Sequence, residues 1–269
     1  MTWQVLNPYD QKCIGSVDLV DWSKIDRWLD EARTLHENRQ AWIPVHERIA
    51  ILQRASSLMR ERAESLAMQI AREGGKPLVD ARAETSRAVQ SVELCVHELF
   101  ASGGRQIPME LTEAGAGRTA YTFREPIGPV VAISAFNHPL NLIAHQVGPA
   151  VATGCPVLVK PAKDTPLSCK SLVEILYEAG LDEHWCRFVP CTDDVAEQMV
   201  TDPRTAFFSF IGSAKVGWML RSRLAPGTRV ALEHGGAAPV IVDENIPREN
   251  VIPSLLKGGF YHSGQVCVS

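Results

Sequence analysis

The stretch from Ala231 to Ser269 carries two groups that could act together on an electrophilic carbon. Glu233 stands just ahead of the pair Gly235-Gly236, and Cys267 closes the run Gly264-Gln265-Val266-Cys267. A glycine pair lets backbone approach backbone or ligand closely, because no Cβ intervenes. A cysteine among small and polar neighbours can be exposed enough to react as a thiolate; taken alone it reads as an inert buried thiol, and only the wider pattern reverses that. Upstream, Asn137 in Ala135-Phe136-Asn137-His138-Pro139-Leu140 offers an amide donor to an oxyanion forming on a bound carbonyl. Its other reading is a cap on a helix opening at Pro139. Lys160-Pro161-Ala162 sets an ammonium at a strand end beside a helix start, which suits ribose and phosphate. Phe210-Ile211-Gly212-Ser213-Ala214-Lys215-Val216-Gly217 follows a strand and opens a helix, whose unpaired N–H groups can seat a pyrophosphate.

In this order the motifs resemble the aldehyde dehydrogenase superfamily, and the resemblance covers nearly the whole chain. Ala231–Val240 looks like that family's general-base motif, and Gly258–Ser269 like its nucleophile motif, with Glu233 and Cys267 separated by the 34 residues the family keeps. The resemblance implies Cys267 as nucleophile, Glu233 as base and Asn137 as oxyanion donor. Phe136 keeps the aromatic bulk of a position that is often Trp and belongs with the cofactor contacts. Lys160 would hold the cofactor ribose, and Gly212, Ser213 and Gly217 match the family's Gly-Ser-x-x-x-Gly. Three residues after Lys160 the family commonly has Glu; here Lys163 cannot accept ribose hydrogen bonds and would attract an extra phosphate. NAD or NADP is therefore the expected cofactor, with NADP accepted, unless Lys163 is solvated and points away. The implied reaction oxidises an aldehyde to a carboxylate through a thiohemiacetal and a thioester. A base to activate water favours a free acid over acyl transfer to coenzyme A.

These groups need a frame. Continuous apolar runs at Val130–Ser134, Pro156–Lys160, Arg187–Val189, Ala206–Phe210 and Val230–Leu232 read as buried parallel strands. Helical patterns at Pro139–Ala152, Ser168–Ala179, Val195–Val200 and Ala214–Leu224 alternate with them. The expected fold is α/β, a doubly wound parallel sheet (a Rossmann-like cofactor domain) with its ligand site at the strands' carboxyl ends. Three helices precede it: Trp22 to Asn38 with Asp21 as cap; a stripe of Leu52, Ala55, Met59, Ala63, Leu66 and Ile70 ended by Gly74, Gly75 and Pro77; and a third with Ala81, Ala88, Val92, Cys95 and Leu99. Two extended runs about Ala114–Gly117 read as a hairpin. The resemblance makes it an arm that pairs subunits, hence a homo-oligomer; a plain surface hairpin is the other reading. The domain division expected is 1–103 with 125–235 as dinucleotide-binding domain, 104–124 as oligomerisation hairpin, and 236–269 as the start of a second α/β catalytic domain. The resemblance places the rest of that domain after Ser269, so a fragment that binds cofactor without turnover is the alternative to an active enzyme.

A net charge of −4 and a pI near 6.1 give no support for nucleic-acid or anionic-membrane partners. No apolar run is long enough to span a membrane, and the first residues lack a signal-peptide layout. Seven irregularly spaced cysteines argue against a disulfide framework and for a reducing cytoplasm. Cys186 and Cys191 read as structural, with no partners to complete a metal site. His138, Asn141 and His145 share one helix face at i, i+3 and i+7, either lining the aldehyde tunnel for a small polar or anionic substrate, or forming a hydrated stripe. A cysteine hydrolase pairing Cys267 with His234 or His262 would need a Cys–His pair that the sequence does not mark.

Overall fold

In the computed structural model, residues 1–268 are described. The chain opens with an antiparallel pair, β1 (Thr2–Leu6) and β2 (Cys13–Asp18), joined by the Asn7–Asp10 turn, where Asn7 Oδ1 accepts the Tyr9 N–H at 2.9 Å. Helix α1 (Trp22–Glu37) begins where Asp21 accepts the Lys24 N–H at 3.0 Å, and it buries Ile25, Leu29 and Ala32 at helical spacing. The second expected helix is two, α2 (Val45–Glu61) and α3 (Ala63–Gly74). Arg62 leaves the helical region for one residue (φ −102°, ψ 13°), turning the axis without resetting the apolar stripe. No glycine or proline marks the break, so periodicity ran through it. Helix α4 (Leu78–Ala101) completes the outer layer. The short pair β3 (Gln106–Ile107) and β4 (Ala120–Tyr121) forms the hairpin.

Alternating units follow: β5 (Val130–Ile133), α5 (Asn141–Thr153), β6 (Val157–Lys160), α6 (Pro166–Glu178), β7 (Cys186–Phe188), α7 (Asp193–Thr201), β8 (Phe207–Gly212), α8 (Ala214–Arg221) and β9 (Arg229–His234). The five strands pair in parallel in the order β7-β6-β5-β8-β9. Strand residues alternate between two cores. Val130, Ala132, Val157 and Val159 pack with α2 to α6, while Val131, Ile133, Leu158, Phe208 and Phe210 pack with α1, α7 and α8. Helices thus cover both faces, which is why β5 and β6 are buried at every position and apolar up to Lys160 at the end of β6. Each fully buried large side chain, such as Leu29 or Phe208, contributes roughly 1.5–3 kcal/mol of transfer free energy.

Beyond β9, the apolar run Pro239–Val242 forms no strand and is exposed. Helix α9 (Arg248–Phe260) follows and buries none of its residues. No helix is long and apolar enough to cross a membrane, and among the described residues no group of three His, Cys, Asp or Glu could hold a metal. Cys186 and Cys191 are buried thiols pushed up to about 12 and about 11 by burial, as inert structural cysteines should be.

Candidate active site

Chain direction across the sheet reverses between β5 and β8: β6 and β7 lie to one side of β5, and β8 and β9 to the other. Crossover helices leave such a switch point in opposite directions, so a crevice opens at the carboxyl ends of its strands. Here the crevice is a cleft of about 800 Å³, within the range of small-molecule sites. Its walls come from the β5 end (Ile133–Asn137), the β8 end (Phe210–Ser213), the β9 end (Glu233–Gly236) and the loop Gly264–Cys267.

Asn137, Glu233 and Cys267 all line this one cleft, as do Phe136, Lys160, Gly212 and Ser213. Asn137 is 8% exposed and does not cap α5, whose cap position is Leu140. Its Nδ2 instead donates to the Gln265 carbonyl at 2.8 Å, two residues before Cys267. A side-chain amide carries two hydrogens, so one anchors the cysteine loop and the second remains for a ligand. Cys267 and Glu233 are exposed. A Cβ built on Gly236 would stand 3.2 Å from the Cys267 carbonyl oxygen, so glycine there is what lets the two segments close on each other.

The cofactor-like half of the cleft has mixed chemistry. Lys160 is buried to within 6%, with Nζ 3.3 Å from the fully exposed carboxylate of Asp193 and 5.8 Å above the Trp3 ring. A pair with one exposed partner is weak, so an incoming anion or hydroxyl could replace Asp193 on the ammonium. Ser213 caps α8 at the cleft, accepting from Val216 N; the other N–H groups of a helix's first turn have no intrahelical partner. Ile133, Val216, Met219 and Leu220 supply apolar wall. Ribose, phosphate and a flat ring could each find a complementary surface here.

Three of the features singled out in the sequence lie outside this lining. Gly217 does not line the cleft: a Cβ there would fall 2.2 Å from His234 Nε2 and 3.0 Å from Phe210 Cδ1, so this glycine serves the packing of α8 on β9. Lys163 is exposed and lies outside the lining, which stops at Ala162. His138, Asn141 and His145 face α4 rather than the cleft: Asn141 and His145 meet Ser91, and His138 meets Lys76 and Glu84. His234, named above only as a partner for Cys267 in a hydrolase, lines the cleft between Phe210 and Trp218; the buried pair Lys76–Glu84 was missed. The pair had a signal. Glu84 sits at i+3 between Ala81 and Ala88, a charge on an apolar stripe.

The family model described as "Aldehyde dehydrogenase family" matches residues 1–269. Aspartate-semialdehyde dehydrogenase 1 of Pseudomonas canavaninivorans is 33% identical over 265 residues, covering 98% of this chain and 56% of that protein. Aldehyde dehydrogenase 21 from Physcomitrella patens, solved with the reaction product succinate, superposes with a TM-score of 0.93 at 34% identity, over 99% of this chain and 56% of that one. Glyceraldehyde-3-phosphate dehydrogenase GapN from Methanocaldococcus jannaschii, complexed with NADP, gives 0.91 at 30% identity, over 99% and 58%. The chain spans about half the length of the curated relatives it matches.

Proposed function

The chain belongs to the aldehyde dehydrogenase family, and from that premise we propose that its cleft carries out NAD(P)-dependent oxidation of an aldehyde to a carboxylate. The observation that carries the proposal is the meeting of Asn137, Glu233 and Cys267 on one cleft at the sheet's switch point. Cys267, as thiolate, adds to the aldehyde carbon. The second N–H of Asn137 donates to the oxygen as it gains charge. When bound, the nicotinamide supplies the acceptor for the hydride that leaves this carbon. Glu233 then takes a proton from the water that attacks the thioester and releases the acid. Lys160, Ser213, Gly212 and Phe136 hold the nucleotide; NADP is the cofactor in the GapN complex, and either nucleotide suits the surfaces described. Succinate, bound to the Physcomitrella enzyme, is an anionic product, in keeping with a small polar or anionic aldehyde here.

In this reading residues 1–103 with 125–235 form the nucleotide-binding unit, 236–269 begin the catalytic unit, and the 104–124 hairpin joins copies into a homo-oligomer in a reducing cytoplasm. A second reading, nucleotide binding without turnover, draws on the exposure of both Glu233 and Cys267, since this chemistry gains from excluded water. The chain is mixed with NAD or NADP and a panel of aldehydes, and reduced cofactor is followed by absorbance. Cys267→Ala should abolish the signal, and Glu233→Gln should give one burst and stall. Steady turnover by the glutamine variant would discard Glu233 as the base; nucleotide binding with no reduction for any aldehyde would favour the second reading.

A further inference from the structure

Outside the cleft, one buried carboxylate touches both segments that carry the proposed chemistry. Glu84 on α4 has a fully buried side chain. Its Oε1 accepts the N–H groups of Leu140 at 3.0 Å and Asn141 at 3.2 Å, fixing the first turn of α5 three residues after Asn137. Its Oε2 pairs with Lys76 and lies 3.5 Å from His138 Nδ1, which is itself 2.9 Å from Lys76 Nζ. The His138 ring stacks on Tyr261 (6.1 Å, 17°) and lies 6.4 Å from His262. Those two residues begin the turn that leads to Cys267.

That turn is under strain. His262 and Ser263 hold left-handed backbone at φ 48° and 58°, a conformation that non-glycine residues keep only where the surroundings enforce it. His262 is buried, and the His138–Tyr261 stack is one contact that ties its turn to the segment leading into α5. Further on, Gln265 accepts from Asn137. The carboxylate therefore sits at the root of two links: through the helix start to Asn137, and through His138 and Tyr261 to the turn before Cys267.

We infer that Glu84 is a positioning residue, holding Asn137 and the Cys267 loop in register through the α5 start, Lys76 and His138. A cap alone would need only the Oε1 contacts; the Oε2 contacts, aimed at His138, are what reach the cysteine turn. The inference rests on the roles given to Asn137 and Cys267 above, so its test includes a readout independent of turnover.

In a Cys13→Ser background, which leaves Cys267 as the exposed thiol, Cys267 is labelled with bromotrifluoroacetone and its fluorine resonance is assigned by loss in Cys267→Ala. The unaltered loop should give one narrow line. Glu84→Gln keeps an oxygen for the α5 N–H groups but turns an amide toward Lys76 and His138; it should broaden or split the line at temperatures where circular dichroism reports native structure. In parallel, kcat per folded molecule, with the folded fraction taken from circular dichroism, should fall about a hundredfold with KM for the nucleotide unchanged; a merely destabilised variant would keep the parent kcat once so corrected. Should Glu84→Gln not fold, His138→Phe keeps the ring stack, cuts the polar link, and should disturb the line and kcat in the same direction. A folded variant of either kind with an unchanged line and unchanged kcat overturns the inference, while reduced cofactor formed by both proteins leaves the proposed function standing. A disturbed line in a chain that makes no reduced cofactor does the reverse.

Discussion

Helices α5 and α6 each follow a strand of the parallel sheet, and each receives at its first turn a glutamate from an outer helix. Glu84 of α4 accepts from Leu140 and Asn141; Glu73 of α3 accepts from Leu167 at 2.8 Å and Ser168 at 2.9 Å, and from the Ser168 hydroxyl. The local need is identical, since helix starts leave N–H groups unpaired and a buried start cannot use water. The company differs. Burial pushes the Glu84 carboxyl up, but His138 and Lys76 outweigh it and hold the group below the usual carboxylate range. Glu73 has no ammonium beside it, and burial carries its carboxyl up to about 7 despite three donors, with the nearby Glu84 charge adding to the rise. Capping bonds alone do not keep a buried carboxylate ionised; the counter-ion decides.

The largest effect should come from removing that counter-ion. Lys76→Met keeps length and leaves Glu84 buried without its ammonium, at a cost of about 3–5 kcal/mol by urea denaturation. Adding Glu84→Gln should restore part of the loss. A Lys76→Met variant as stable as the parent would erase the distinction between the two helix starts.

Next comes a pH contrast with opposite signs. A carboxyl raised in the folded state contributes stability that is full below the ordinary value of 4.5 and is lost as pH rises through about 7. Glu73→Gln, which mimics the protonated acid, should therefore gain on the parent between pH 5 and pH 8, by roughly 3 kcal/mol at most. Glu84, held low, contributes stability present above 4.5 and lost as pH falls. Stability curves for Glu73→Gln and the parent that run parallel across pH 5 to 8 would refute the assignment. The smallest change is expected from Ser168→Ala, which deletes one donor to Glu73 and should cost about 1 kcal/mol. A loss rivalling that of Lys76→Met would mean the hydroxyl, not burial, governs this cap.

Much of the sheet was legible because a doubly covered strand has a plain signature: Val130–Ile133 and the run from Val157 to Val159 are apolar on both faces. The cleft motifs were legible because they sit at strand ends, where side-chain type reflects ligand rather than core. What escaped was set by tertiary contact. Gly217 fits a nucleotide motif by spacing, yet its freedom from a Cβ is consumed by His234. The i, i+3, i+7 face of α5 was correctly one face, but spacing cannot say whether it meets the cleft or α4. Nothing in the sequence marked Glu73 and Glu84 as caps, because capping between distant helices leaves no local pattern apart from an acid placed on an apolar stripe.

Helix α9 has its own consequence. Ile252, Leu255, Leu256 and Phe260 form an uncovered greasy ridge, and Val240 and Ile241 are exposed as well. Patches of that kind make a protein adhesive. The isolated polypeptide should cling to hydrophobic resins, light up environment-sensitive dyes, and clump as it is concentrated, with the stickiness tracing to this ridge rather than to the sheet.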